Sequence, residues 1–381
     1  MKYTYDFQDQ VRDLDNYFFT TLEKRPLFLS QIKYDPSNPI TNTKKEWLNE
    51  NIASQETAVT VLNTDGDGTL FDVVSSAGLL VGDVIRFTSS TGATYTEVAK
   101  VGVINSTTQI TIVRQYAGTT GVTLQVGDKV IMSSRPKQEG SLVIGGNPTR
   151  PTSDYNFTQI FSEDVILTGT DIEVNSYGFD SIGAKLNSEI TKMAYYAQSK
   201  LNDACIYGER LISSTGVPAT MGGVLRYIRG GSVENAGGAI SQTLINNAFE
   251  RMFVAGAQNE NLVILCNTNQ ARKLTALVTL NSAIGPIAPN ATGGSINSFF
   301  GDIAGTNYGG NIVVDPRFPK DQIAILDMSK IELKNLRNRG FSDFDCSDPK
   351  EDAIRRRLLA EMTLQIQNAE TCHSLITGLT I

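Results

Sequence analysis

Few side chains in this sequence are suited to chemistry, and their spacing does not gather them. There is one histidine, His373, directly after Cys372. A thiol activated by an imidazole would make a nucleophile, but consecutive residues on a strand point to opposite faces, so a structural pair is expected here. With a single imidazole, every histidine-based metal site and every Ser–His–Asp triad would have to use His373, and no G-x-S-x-G elbow accompanies it. No P-loop occurs, and Gly145-Gly146-Asn147 lacks the spacing of a dinucleotide loop. One stretch imitates a metal site: 63–72 (NTDGDGTLFD) places oxygen ligands at alternate positions around a glycine, like the first half of a calcium loop. Its twelfth position, where a bidentate Glu is needed, is Val74, and its flanks are strand-like. A β-turn is the plain reading, with adventitious calcium binding as the alternative. The sequons at Asn105, Asn156 and Asn290 have no secretory signal to expose them to glycosylation. The expectation is therefore no catalytic residue, no cofactor and no metal: not an enzyme, unless it works through carboxylates that nothing singles out.

The bulk numbers narrow what remains. A chain of 381 residues is long enough for two or three domains, and 40% hydrophobic with 19% charged residues is the composition of a folded protein. A net charge of −7 argues against a nucleic-acid reader, which needs a basic face to displace phosphate counterions. Four scattered cysteines, Cys205, Cys266, Cys346 and Cys372, read as free thiols in a reducing compartment. The N-terminal stretch has no apolar core of signal-peptide length and no later run spans a bilayer, so no membrane is expected.

The longest element predicted is a helix over 181–211. Ile182, Leu186, Ile190, Met193, Ala197, Leu201, Ala204 and Leu211 fall at a three-four spacing that winds one apolar stripe, with Lys185, Glu189, Lys192, Lys200, Asp203 and Arg210 on the other sides. Such a rod would be roughly 45 Å long, more than one compact domain of ordinary size buries end to end. It is expected to brace several substructures or lie along a neighbouring subunit, a long helix in an ordinary two-domain protein being the plain alternative. Before it, residues 1–50 carry many aromatics among charges, broken by Pro26, Pro36 and Pro39. This segment either folds back on its own core or clips onto another subunit. From about 57 to 135 the texture becomes short Thr- and Val-rich runs with turn residues every 8–12 positions, the pattern of a small barrel or sandwich. Strands are predicted at 58–62, 84–88, 95–101, 109–114 and 129–132. Two segments there nearly repeat, 79–85 (LLVGDVI) and 124–131 (LQVGDKVI), each with a Gly-Asp turn before a strand, so two related hairpins are expected to pack together.

Residues 243–340 read as a mixed α/β domain. A helix with Leu244, Ala248, Met252 and Phe253 on one face precedes a strand at 262–266, and a second helix runs through Ala271, Leu274 and Leu277. A Gly/Asn/Ser-rich loop of about 27 residues, 285–311, exceeds the usual loop length and reads as an interaction segment. Strands follow at 312–314, 323–326 and 331–333. In the tail, Leu358, Ala360, Met362, Leu364 and Ile366 alternate with Glu361, Thr363, Gln365 and Gln367, as in a half-buried strand, a helix being the competitor. Arg355-Arg356-Arg357 before it is either a solvated turn or a contact to acidic neighbours.

In this order of parts the chain resembles the major capsid proteins of tailed bacteriophages, the Johnson fold, in the branch with a β-barrel insertion in the extended loop. The likeness is carried by Tyr177-Gly178 and the helix as far as 203–208 (DACIYG), by Met221-Gly222-Gly223-Val224, by 114–120 (RQYAGTT) leading to Val126-Gly127-Asp128, and by 311–317 with 324–327 and Leu336-Arg337-Asn338-Arg339. The resemblance implies an α+β fold: an N-terminal arm over 1–50; an extended loop over 51–57 and 134–163; an inserted all-β domain over 58–133; a peripheral domain with the spine helix over 164–230 and 345–381; and an axial domain over 231–344. It also implies a shell built of many copies, as hexamers and pentamers, enclosing double-stranded DNA touched only non-specifically. A portal, decoration protein and, because the arm begins near Met1, a separate scaffolding protein are implied as partners. Tyr17, Phe18, Phe19 and Trp47 are the candidate subunit-interface anchors, since aromatics dominate interface energetics. Two other functions share these features: an encapsulin-type compartment holding enzyme cargo, and a surface protein whose β-insert binds carbohydrate or a receptor.

Overall fold

The computed structural model describes residues 27–50, 54–62, 69–137, 139–140, 151–174, 182–257, 261–280, 298–300 and 309–381. Residues up to Asn49 together with Ser153–Ile381 form one compact unit, and Glu50–Thr152 forms a second. The described chain starts with two short strands, β1 (Lys33–Tyr34) and β2 (Lys44–Asn49), before entering the second unit.

That unit consists of β3 (Glu56–Leu62), β4 (Leu70–Val73), β5 (Val84–Thr88), β6 (Val98–Ile104), β7 (Gln109–Val113) and β8 (Lys129–Ser134). They close into a barrel in the order β3-β4-β7-β6-β5-β8, antiparallel throughout. Period-two alternation sends Val59, Phe71, Ile85, Phe87, Val101, Ile110 and Val130 inside, where all are buried. The near-repeat is repeated structure as well. Gly82 and Gly127 take φ of 96° and 92°, the conformation a type II turn demands at its third residue. Asp83 and Asp128 each accept the amide three residues back, from Leu80 and Gln125. Each glycine amide donates to a strand, Gly82 to Val101 and Gly127 to Val59, and those two residues donate back to the aspartate carbonyls. The strands that follow, β5 and β8, pair with each other. Two differences from the expected strands involve side-chain contacts. β6 begins at Val98, not Tyr95, whose hydroxyl donates to Asp128 instead. Leu70 to Asp72, read above as part of a turn, belong to β4, and Asp72 accepts from Gln109 of β7; the rest of the calcium-like segment, 63–68, lies outside the described residues.

Beyond the barrel come β9 (Thr152–Phe157), β10 (Gln159–Thr168), α1 (Gly169–Glu173) and the spine, α2 (Ile182–Tyr207). The spine's 26 residues are unbroken and span about 39 Å. It stops at Tyr207 and does not reach Leu211. A Cβ on Gly208 would run into the carbonyls of Ala204 and Met221, and one on Gly223 would lie 2.7 Å from those of Ala204 and Cys205. The returning chain packs against the helix terminus only because both positions are glycine. Leu211 is left exposed in a bridge to Thr220.

The remaining elements are α3 (Val224–Tyr227), β11 (Val233–Gly238), α4 (Gln242–Val254), β12 (Leu262–Cys266), α5 (Thr268–Leu280), β13 (Ser298–Phe300), β14 (Gly309–Val314), β15 (Ile323–Asp327), β16 (Ile331–Asn335), β17 (Ser342–Asp345), β18 (Ala353–Ile366), α6 (Ala369–Cys372) and β19 (Ser374–Leu379). One sheet runs β1-β16-β18-β10 with β17 also on β18; a second runs β11-β19-β15-β12-β14-β13. The first sheet, the spine's C-terminal half, Phe28 and Trp47 share a core, while α4 packs with β12, β15 and β19 in another.

Several expectations are corrected. In α4 the inward face is Ile245, Ala248, Phe249 and Met252, a three-four stripe, and Phe253 is 46% exposed. The tail is strand β18, but it is not half-buried: Glu361, Thr363 and Gln365 are covered too. Two of the three are met there, Thr158 donating to Glu361 and Thr363 to the Phe157 carbonyl. The long 285–311 loop contains β13, paired with the start of β14; 281–297 and 301–308 lie outside the described residues. Arg355, Arg356 and Arg357 are strand residues of β18 with acidic partners, not a turn.

Candidate functional site

The chemistry-bearing residues are held as structure. Cys372 ends α6 and His373 follows it as the cap, so the two are not strand neighbours at all. His373 is buried, and its Nδ1 accepts the Asp327 amide at 3.1 Å. Burial holds its pKa down to about 4, so it is a neutral acceptor at pH 7. Burial also pushes the Cys205 and Cys266 thiols up, the latter to about 12, away from the thiolate that nucleophilic chemistry needs. Among the described residues no group of His, Cys, Asp and Glu is placed to hold a metal ion, and no helix is long and apolar enough to cross a membrane.

What the molecule does present is surface. Along the spine, Met193, Ala197, Leu201, Cys205 and Ile206 are buried, whereas Leu186 and Ile190 are only half-buried and Tyr196 is 58% exposed. The apolar stripe thus continues past the point where the subunit covers it. Strand β10 is apolar on both faces: Phe161, Val165 and Leu167 turn inward, while Ile160 and Ile166, on the opposite face, are 55% and 52% exposed. Around these lie exposed ion pairs, Arg357 with Asp164 at 2.7 Å and Arg356 with Asp343.

Of the four interface candidates, Tyr17, Phe18 and Phe19 lie outside the described residues. Trp47 is 6% exposed, its ring tilted against Tyr227 at 5.9 Å, so its own subunit already covers it. Sequence reasoning did not find the clamp that pins the chain after residue 26: Asp315 accepts the Phe28 amide and Asn202 Nδ2, and Asn202 Oδ1 accepts the Leu29 amide. No local signal marks it, because its members are more than a hundred residues apart.

This architecture has known counterparts. A family model described as SU10 major capsid protein matches residues 1–380. A comparison with curated proteins finds no match. Among solved structures, the capsid of cyanophage A-1(L) is 11% identical, with 98% of each chain covered and a TM-score of 0.53. The structure of Mycobacterium phage Bobi is 11% identical over 98% of this chain and 96% of that one, TM-score 0.51. Identities this low show a common fold and nothing finer: the α+β phage capsid fold organised on a long helix. The family match, covering all but the last residue, goes further: the chain belongs to the SU10 major capsid protein family, whose work in the virion is structural, forming the shell of the phage head, and not enzymatic.

Proposed function

We propose that copies of this chain join as hexamers and pentamers into the closed icosahedral or prolate head of a tailed phage, around double-stranded DNA. The burial gradient of α2 carries this reading. Its C-terminal half buries Ala197, Leu201, Cys205 and Ile206 in the subunit, while Leu186 and Ile190, with Ile160 and Ile166 of β10, leave apolar surface in water. Covering a half-exposed Leu or Ile is worth on the order of 1 kcal/mol, and repetition around a closed lattice makes such modest contacts cooperative. On the same reading residues 1–50 are the arm, 51–57 and 134–163 the extended loop, 58–133 the β domain inserted in it, 164–230 and 345–381 the peripheral domain, and 231–344 the axial domain. The net charge of −7 suits a container along whose wall DNA slides. Scaffolding, portal and decoration proteins are the companions this assembly calls for. The test is negative-stain microscopy of the full chain, expressed alone and with the companion proteins of its genome. Uniform shells are expected; a chain that stays a small oligomer under every condition refutes the reading.

A further inference from the structure

We propose that a recessed cavity near the C-terminal end of the spine is a socket for a carboxylate side chain of a second copy of this chain. The inference rests on the shell reading above and adds a specific contact to it. The cavity, about 140 Å³, is lined by Asp154, Arg210, Arg226, Tyr227, Arg229 and Glu370. Three guanidiniums against two carboxylates make it cationic, on a chain that is acidic as a whole.

The three arginines are not equally engaged. Arg210 is fixed: its Nη1 donates to Asp154 Oδ1 at 2.9 Å and to the Tyr155 carbonyl at 2.6 Å, and its guanidinium stacks 3.8 Å from the Tyr155 ring centre. A second cation, Lys44 Nζ, lies 4.2 Å from the same ring. Arg226 pairs with Glu209, whose side chain is 73% exposed, a contact that water largely screens. Arg229 is exposed and has no ion-pair partner among the described residues. Arg210 and Asp154 therefore form a rigid floor, and Arg226 and Arg229 keep donors in hand for an incoming anion. A carboxylate matches the guanidinium fork and makes short, charge-assisted hydrogen bonds with it.

The lining also discriminates between sources of anion. A DNA backbone brings its charge as a continuous line and would carry further phosphates past Asp154, Glu370 and Glu209. A single Asp or Glu side chain brings one charge, enters a space of this size, and need not approach those acids. Neighbouring copies supply such side chains in excess, with 40 acidic residues to 33 basic ones in each.

The test uses the full chain and the double variant Arg226→Ala/Arg229→Ala. Both side chains reach solvent, so melting of the unassembled variant should match wild type. Its yield of shells at equal concentration should fall tenfold or more. A yield within twofold of wild type overturns the proposal, as does a loss confined to DNA-filled shells, which would assign the cavity to phosphate. A map of the wild-type shell decides independently of the variant: a neighbour's carboxylate oxygen within about 3 Å of Arg226 or Arg229 is expected, and water or a nucleotide phosphate there overturns it. Wild type that builds no shells would instead remove the shell reading, and this inference with it.

Discussion

In the barrel, buried charge is met within the unit. Glu97 is completely covered and receives Arg114 through two guanidinium hydrogen bonds, at 2.9 and 2.5 Å, plus the amides of Gln115 and Val122. Asp83 is paired with Arg135, and Asp128 accepts from Ser90, Tyr95 and Gln125. The main unit ends differently. Its spine and β10 run out from a packed core into solvent with Leu186, Ile190, Ile160 and Ile166 still to be covered. A unit that satisfies its polar groups and closes its sheet has no edge left for a partner, whereas an apolar stripe left wet is complete only in an assembly. The barrel exposes valines of its own, Val81, Val103, Val113 and Val126, so the contrast lies in the closed sheet of one region and the uncovered helix stripe of the other.

The largest expected effect tests the barrel's self-sufficiency. Glu97→Ala leaves the Arg114 charge and two amides without their acceptor, and breaking a buried pair from one side costs about 3–5 kcal/mol. Amide exchange in 56–134 should accelerate sharply. Trp47, the chain's one tryptophan, sits in the other unit's core and should report an unchanged transition. A Trp47 transition that moves with the barrel would show that the two units do not fold separately.

The mirror experiment is Leu201→Ala, which empties a fully buried site where the spine meets the main core. Leu→Ala changes of this kind cost about 3–5 kcal/mol. The Trp47 transition should fall by that amount in denaturant titrations while barrel exchange is unaffected. Equal loss in both regions would again break the comparison.

Acid separates the two units by a smaller margin. His373 takes up a proton in the unfolded chain near pH 6.5, but burial holds the folded residue to about 4. Between those values only the unfolded state binds the proton, so stability is full above pH 6.5 and drops by about 3 kcal/mol as pH falls to 4. In the barrel, burial pushes the Glu97 carboxyl up, but Arg114 and the amides of Val122 and Gln115 outweigh it and hold it below the usual carboxylate range. Asp128 is likewise held down, burial being outweighed by the Ser90 and Gln125 amides and by Tyr95. Their contribution is therefore intact above the ordinary carboxylate range and lost only as pH falls below it. Unfolding followed from pH 7 to 5 should weaken the Trp47 transition alone, and His373→Gln should abolish that slope. A slope that survives the substitution would assign it to another group.

Where local pattern and burial agree, this molecule could be read from its sequence. The 3.6-residue stripe of α2 as far as Tyr207, the repeated Gly-Asp turns and the apolar run of β12 appear where periodicity put them, because each is set by residues within a turn or a strand's length. What was hidden depends on distant partners. Nothing in the alternation of β18 tells that its polar side is covered too, since Thr158 and Phe157, which meet Glu361 and Thr363, lie some two hundred residues earlier. The same holds for the cavity, where Tyr155 and Arg210 stack across a gap of more than fifty residues. A lone tryptophan invites assignment to an interface, yet Trp47 is covered by Tyr227 of its own subunit.

The smallest effect is the one that bears most directly on assembly. Leu186 and Leu201 lie on the same predicted stripe of the same helix, four turns apart, and differ in what covers them: Leu201 is buried, Leu186 half-exposed. In the unassembled chain Leu186→Ala removes a side chain that water already reaches, and the loss should stay below about 1 kcal/mol. If a neighbouring copy completes the stripe, the same substitution should lower the denaturant midpoint for shell dissociation well beyond its effect on the free chain, because every copy in the lattice loses the contact. The ratio of the two effects is the measurement: near one, the wet half of the spine is ordinary surface; well above one, it is where copies of this protein meet.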